Sequence, residues 1–265
     1  MPKTRVNDIE LYYEIHGAGD PLVLITGLGY GIWSWFKQIP AFAQKYQVVV
    51  FDNRGVGGSD KPDCEYSIKM LADDAYALLK NLGLARAHVL GASMGGFIAQ
   101  QLALDHPELV KSLILCCTSF GGKNSVLAPW GTWKPLLEIE GLGPDEIIRR
   151  GHGLAYSADY AQHHPDEMDN LVKLQLANSV PRYAWLRQFW AGAKFDLESR
   201  VAEIKAPTLI MTGSEDLLVP SENSKLLEAK IAGARRATIA GAGHVVFIER
   251  AEEFNKIVLD FLSEH

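Results

Sequence analysis

Hydrophobic positions in the first half of the chain follow two spacings in turn. Unbroken apolar runs rich in β-branched residues occur at 21–26 and 47–51, and each ends in a glycine-rich loop. Runs of this length predict strands buried on both faces. An earlier stretch, 9–15, predicts an antiparallel strand before a turn at Gly17 and Gly19. From 68 to 82 the apolar residues Ile68, Leu71, Ala72, Ala75, Leu78, Leu79 and Leu82 recur every three or four positions, and Gly83 is a stop signal. That spacing predicts an amphipathic helix. A strand at 87–90, a helix at 95–105 that breaks before Pro107, and a strand at 110–117 continue the alternation. Strands alternating with helices predict an α/β protein with a mostly parallel sheet covered on both faces.

The alternation stops for residues 120–195, where helix-leaning segments are separated by Gly and Pro. Four of the six tryptophans fall there (Trp130, Trp133, Trp185, Trp190), and eight Lys/Arg balance eight Asp/Glu. Alternation resumes with a strand at 207–213, a helix near 221–230, a strand at 235–240 and a last helix after Phe247. The aromatic, electrically balanced stretch therefore reads as an insertion that splits one core, 1–119 with 196–265. No internal repeat or low-complexity stretch stands out.

Composition narrows the class. The chain has 265 residues, 48% hydrophobic and 22% charged, the balance of a folded globular enzyme. A net charge of −6, with Lys and Arg scattered, argues against a nucleic-acid partner. There is no apolar leader and no run of about 18 apolar residues, so neither export nor a membrane is expected. Of three cysteines, Cys116 and Cys117 are adjacent in a predicted strand, where neighbours point to opposite faces. They read as small buried apolar residues, and an odd count without a disulfide framework suits the cytoplasm.

The chemistry begins at Gly91-Ala92-Ser93-Met94-Gly95, between a predicted strand and a predicted helix. A Gly-x-Ser-x-Gly string alone is weak evidence, with roughly 0.1 occurrences expected by chance at this composition. In a strand-to-helix turn, however, the serine stands exposed at the carboxyl edge of the sheet. A serine hydroxyl needs a base, and the base needs a partner to fix its tautomer. Of eight histidines, His244 lies in the glycine-flanked loop Gly241-Ala242-Gly243-His244 after a late strand. The other seven read as surface or satisfied histidines. Asp216 follows a buried strand and precedes His244, with Glu215 beside it as the rival carboxylate. For the oxyanion created by attack, the backbone N–H groups of Met94, at a helix start, and Leu28, in the loop after the strand ending at Thr26, are the candidate donors.

Taken together these segments resemble the α/β-hydrolase superfamily, specifically its capped carboxylesterase, enol-lactonase and cofactor-free haloperoxidase-like group. The turn Asp52-Asn53-Arg54-Gly55-Val56-Gly57-Gly58-Ser59-Asp60 and the pair Gly243-His244 followed by Glu249 are similar to further motifs of that group. Thr26 departs from the histidine many relatives carry, Val56 also from a histidine, and Ala251 from a proline. The resemblance implies a mostly parallel eight-stranded sheet, a helical cap at 120–195, and a Ser93–His244–Asp216 triad. It also implies cleavage of short to medium acyl esters or lactones through an acyl-enzyme, without metal or organic cofactor. Trp130, Trp133 and Trp185 are expected in the pocket wall, and Arg149, Arg150, Arg182 or Arg187 could hold a substrate carboxylate. Alternatives on the same scaffold are an enol-lactonase, a carbon–carbon bond hydrolase, or a small-molecule receptor that keeps a slow triad. The sequence leaves oligomeric state and natural substrate open.

Overall fold

The computed structural model describes residues 2–265, and its eight strands join a single sheet. They are β1 (Lys3–Val6), β2 (Ile9–His16), β3 (Asp20–Ile25), β4 (Tyr46–Phe51), β5 (Ala87–Ala92), β6 (Val110–Cys116), β7 (Thr208–Gly213) and β8 (Arg235–Ile239), in spatial order 1-2-4-3-5-6-7-8. The β1–β2 and β2–β4 pairs are antiparallel and all others parallel. The mostly parallel eight-stranded sheet is thus present. The one strand the hydrophobic pattern did not reveal, β1, is four residues long and largely exposed, too short and too polar to show a period.

Alternation along each central strand divides its side chains between two cores. Val23, Ile25, Val49, Phe51, Val89, Leu113, Leu115 and Ile210 face one side. There they pack under α2 (Ile68–Asn81) and α3 (Met94–Asp105) through residues such as Leu71, Leu78, Ile98 and Leu102. Leu22, Leu24, Val48, Val50, Leu90, Ile114 and Met211 face the other side, with Phe42 of the short α1 (Ile39–Phe42) and with Phe254, Val258 and Phe261 of the last helix. The helix expected at 68–82 is capped at its start by Ser67, whose hydroxyl accepts from the Met70 N–H at 3.1 Å. Gly83 follows it at φ +71, where a β-carbon would be strained.

Between β6 and β7 the chain forms five α-helices: α4 (Trp130–Leu137), α5 (Pro144–Ala155), α6 (Ala158–His163), α7 (Pro165–Ala177) and α8 (Arg182–Ala193). A bridge between Gly121 and Asp196 brings the two ends of this insertion together. After β7 come α9 (Glu222–Lys230), β8, α10 (Val246–Glu249) and α11 (Ala251–Leu262). One expectation fails locally. The strand read as 110–117 ends at Cys116, because Cys117 turns to φ 49 and leaves it. The two cysteines consequently pack into the same core rather than on opposite faces.

An ion cluster ties β4's exit loop to α2. The Arg54 guanidinium donates to Asp74 from Nε at 2.8 Å and Nη2 at 3.0 Å, and to Asp8 at 2.6 Å and 3.1 Å. The Arg54 and Asp74 side chains are 1% and 2% exposed, whereas that of Asp8 is 67% exposed. A buried charge that loses its partner costs about 3–5 kcal/mol, and a solvent-exposed pair contributes about 1 kcal/mol or less. Asp74→Ala should therefore lower the urea midpoint severely and Asp8→Ala only slightly. Equal losses in the two variants would show that burial does not set the strength of this cluster.

Candidate active site

Ser93 joins the end of β5 to the start of α3 with φ 56 and ψ −121, a conformation that costs a non-glycine residue energy. The surrounding glycines explain how the turn is accommodated. A β-carbon on Gly95 would collide with the Ile25 carbonyl of β3, and one on Gly91 with the Gly95 carbonyl. Gly-x-Ser-x-Gly spacing is thus a packing requirement where α3 crosses the sheet edge. The turn leaves Ser93 partly exposed while its neighbours Ala92 and Met94 are buried. Met94 is the first residue of α3, where the N–H has no intrahelical acceptor.

Asp216 lies beyond β7 with its side chain 0% exposed. One carboxylate oxygen accepts from the Leu218 and Val219 N–H groups at 2.9 Å and 2.8 Å. His244 Nδ1 lies 2.9 Å and 2.8 Å from the two carboxylate oxygens. That bond places the proton on Nδ1 and directs Nε2 outward as an acceptor. Glu215, the neighbouring carboxylate, is exposed. Of the two, Asp216 meets the imidazole.

Ser93 and His244 line one cavity of about 400 Å³ between the sheet edge and the inserted helices. Leu28 lies in the same wall, and its N–H makes no hydrogen bond among the described residues, while the next N–H, of Gly29, is taken by Gln188 Oε1 at 2.9 Å. Trp133 and Trp185 also line the cavity. Trp130 does not. It is 64% exposed at the first residue of α4, three residues before Trp133.

Of the four arginines, Arg149, Arg150 and Arg187 are paired outside the cavity with Asp145 and Asp169, with Glu146, and with Asp63. Arg182 alone lines it, stacked 4.6 Å from the Trp185 ring and donating to the Leu137 carbonyl at 3.0 Å. Among the described residues no carboxylate forms an ion pair with Arg182, and burial pulls its guanidinium below the ordinary value.

Two features escaped the sequence reading. His152 stands in the cavity wall, with Nε2 2.9 Å from Gln175 Oε1, and burial pulls its imidazole pKa down. Its signal was the stripe Ile147, Ile148, Gly151 and Ala155 on the same helix. Cys117 is buried in the core as expected, but it also has polar neighbours. Its Sγ, an Asp216 carboxylate oxygen and a His244 ring nitrogen lie within 4.8 Å of one another. These are atom types that hold a divalent ion, but the Asp216 carboxylate is already bonded to the imidazole and two N–H groups. A hydrogen bond with Cys116, burial and the Asp216 charge all push the Cys117 thiol well up, so it stays protonated.

Comparison with known proteins agrees with this architecture. The alpha/beta hydrolase fold family matches residues 20–251, and the chain belongs to it. RutD of Azorhizobium caulinodans, provisionally named a carbamate hydrolase, is 31% identical over 264 residues, covering 100% of this chain and 99% of its own. The enol-lactonase from Burkholderia xenovorans LB400 superposes with a TM-score of 0.88 at 29% identity, covering 99% of this chain and 100% of that one. Est816, described as an N-acyl homoserine lactone degrading enzyme, gives 0.84 at 31% identity over 98% and 100%. The expected kinship with capped esterase- and lactonase-like hydrolases is therefore found. No helix among the described residues is long and apolar enough to cross a membrane.

Thiol chemistry checks the state assigned to Cys117. Iodoacetamide should label the half-buried Cys64 in the folded protein and reach the buried Cys116 and Cys117 only after denaturation, counted by mass spectrometry. Rapid native labelling of Cys117 would mean that its sulfur reaches solvent and is reactive.

Proposed function

We propose that this member of the α/β-hydrolase fold family is a serine hydrolase that cleaves carboxylic esters through an acyl-enzyme, with Ser93 as nucleophile. A single observation carries the reading. A serine held in a strained, outward turn shares a cavity wall with an imidazole whose far nitrogen is tied to a fully buried carboxylate. In the cycle, His244 Nε2 takes the Ser93 hydroxyl proton as Oγ bonds to the substrate carbonyl carbon. Asp216 stabilises the imidazolium through Nδ1. The Leu28 and Met94 N–H groups face the oxyanion, where preorganised donors act most strongly. Collapse expels the alcohol, which receives the proton from His244. Water, deprotonated by the same histidine, then cleaves the acyl-enzyme and releases the acid.

Residues 120–195 serve as the cap over a core of 1–119 and 196–265. Trp133 and Trp185, with aliphatic residues of α4 and α5, make the cavity largely apolar, which suits short to medium acyl chains. A second reading, enol-lactone or other acidic substrates, is favoured by Arg182, a cation on the cavity wall without a carboxylate partner among the described residues. The enol-lactonase named above is in keeping with it.

Ser93→Ala should lower kcat/KM on a nitrophenyl ester by about 10³ or more with the fold intact, and should abolish labelling by a fluorophosphonate probe. Cys117→Ala should keep most of the activity. The reverse pattern would make the thiol the nucleophile and overturn the assignment. Arg182→Met should cost about 10- to 100-fold on esters bearing a second, ionised carboxylate and little on neutral esters. Parallel losses on the two ester types would remove the acidic-substrate reading.

A further inference from the structure

The loop that carries His244 is bracketed by the inserted helices. The residue after it, Val245, donates its N–H to the carbonyl of Ala155, the last residue of α5, at 3.1 Å. The residue before it, Gly243, donates its N–H to Glu249 Oε1 at 2.9 Å. That carboxylate also accepts from the Ser157 N–H at 3.2 Å and the Ser157 hydroxyl at 2.7 Å. Residues 155–157 therefore hold the backbone on one side of His244 directly and on the other through Glu249. The seam is tight. A β-carbon on Gly243 would come within 2.8 Å of the Ala155 carbonyl oxygen, the Ser157 nitrogen and Glu249 Oε1.

Glu249 is only 6% exposed, and among the described residues it has no ion-pair partner. A carboxylate buried this deeply persists only where donors replace its water, and the three bonds to Ser157 and Gly243 do so. The same helix that ends at Ala155 turns Ile147, Ile148, Gly151 and His152 into the cavity. A ligand that fills this side of the cavity packs on α5, and the end of α5 holds the histidine loop.

We propose that Glu249 is a positioning residue that couples substrate contact with α5 to the placement of His244. This rests on the reading of Ser93 and His244 as the reacting pair. The consequence is kinetic. Contacts that tighten only when the histidine is aligned raise kcat, whereas uniform binding lowers KM alone. Acyl chains long enough to reach α5 should therefore be turned over faster, and this gain should pass through the bonds of Glu249 to Ser157 and Gly243.

The test uses nitrophenyl esters from acetate to octanoate on the full-length wild type, Ser157→Ala, Glu249→Gln and Glu249→Ala, with thermal melts to verify folding. Wild-type kcat is expected to rise with chain length. Ser157→Ala is expected to lower kcat on the longer esters about 3- to 10-fold and flatten that rise, while KM still falls with chain length. Glu249→Gln, which keeps an oxygen for the Gly243 N–H, should recover part of what Glu249→Ala loses. If Glu249→Ala does not fold, Ser157→Ala and Glu249→Gln decide the matter. A wild-type kcat flat with chain length, a rise that Ser157→Ala leaves intact, or an effect confined to KM overturns the proposal. Ester turnover that survives Ser93→Ala would instead remove the underlying reading of the site.

Discussion

The close approach of α3 to β3 at Gly95 is the constraint on which the rest of the molecule turns. With no β-carbon at 95, the helix can start directly against the Ile25 carbonyl, and the chain must reverse within one residue to do so. That residue is Ser93, held at φ 56. A strained residue persists only where its surroundings over-determine it. Here the Ser93 N–H donates to the Cys116 carbonyl at 2.8 Å, and its carbonyl accepts from the Thr118 hydroxyl at 2.9 Å and the Gly96 N–H at 2.8 Å. Backbone bonds thus fix the turn and leave the hydroxyl side chain without a structural task.

The opposite strategy governs the proposed acid and base. Asp216 and His244 sit on loops, which are ordinarily mobile, but each loop is tied by bonds across the structure. The Glu215 N–H donates to the Ala242 carbonyl and the Ser214 N–H to the Ile239 carbonyl, so the acid's loop and the base's loop are stitched to each other. Glu249 and Ala155 then fasten the base's loop to the insertion. The proposed reacting groups are therefore positioned from two sides, the sheet edge for Ser93 and the insertion for His244. A cavity formed between those two sides is where substrate binding can act on their relative placement.

Much of this was legible in the sequence, for a physical reason. Strands buried on both faces are mostly apolar, with the few polar residues paired as His88 is with Ser112, so β3 through β7 announce themselves as apolar runs, and helix α2 by its period. The glycines around Ser93 and His244 are forced by backbone crowding, so they too leave a mark. The edge strand β1 and the short α1 were invisible, because four residues carry no period. The strand-end turn at Cys117 was also missed: its positive φ falls on a residue type that gives no turn signal. The wall of the cavity was read only in part. Trp130, Trp133 and Trp185 were all expected there and only the last two line it, since a rich aromatic composition does not say how far along a helix the cavity reaches. Which cap arginine stays unpaired was equally hidden, because it depends on carboxylates that approach from other elements, such as Asp63 for Arg187 and Asp169 for Arg149.

The thiol of Cys117 shows how local electrostatics separates two otherwise similar candidates. A cysteine close to a histidine and a carboxylate has the outline of a nucleophilic centre, but reactivity follows the thiolate, and at this position the Cys116 hydrogen bond, burial and the Asp216 charge outweigh the hydrogen bond from the Gly213 backbone that favours it. Burial removes the water that would stabilise an anion, and the Asp216 charge repels one. A serine in the role proposed for Ser93 needs no prior ionisation, because its proton leaves as the bond to carbon forms. The Asp216 charge disfavours a second anion on the adjacent sulfur. In the proposed reading, the carboxylate that orients the imidazole is the same charge that keeps the neighbouring sulfur protonated, so one buried group favours oxygen over sulfur as the attacking atom.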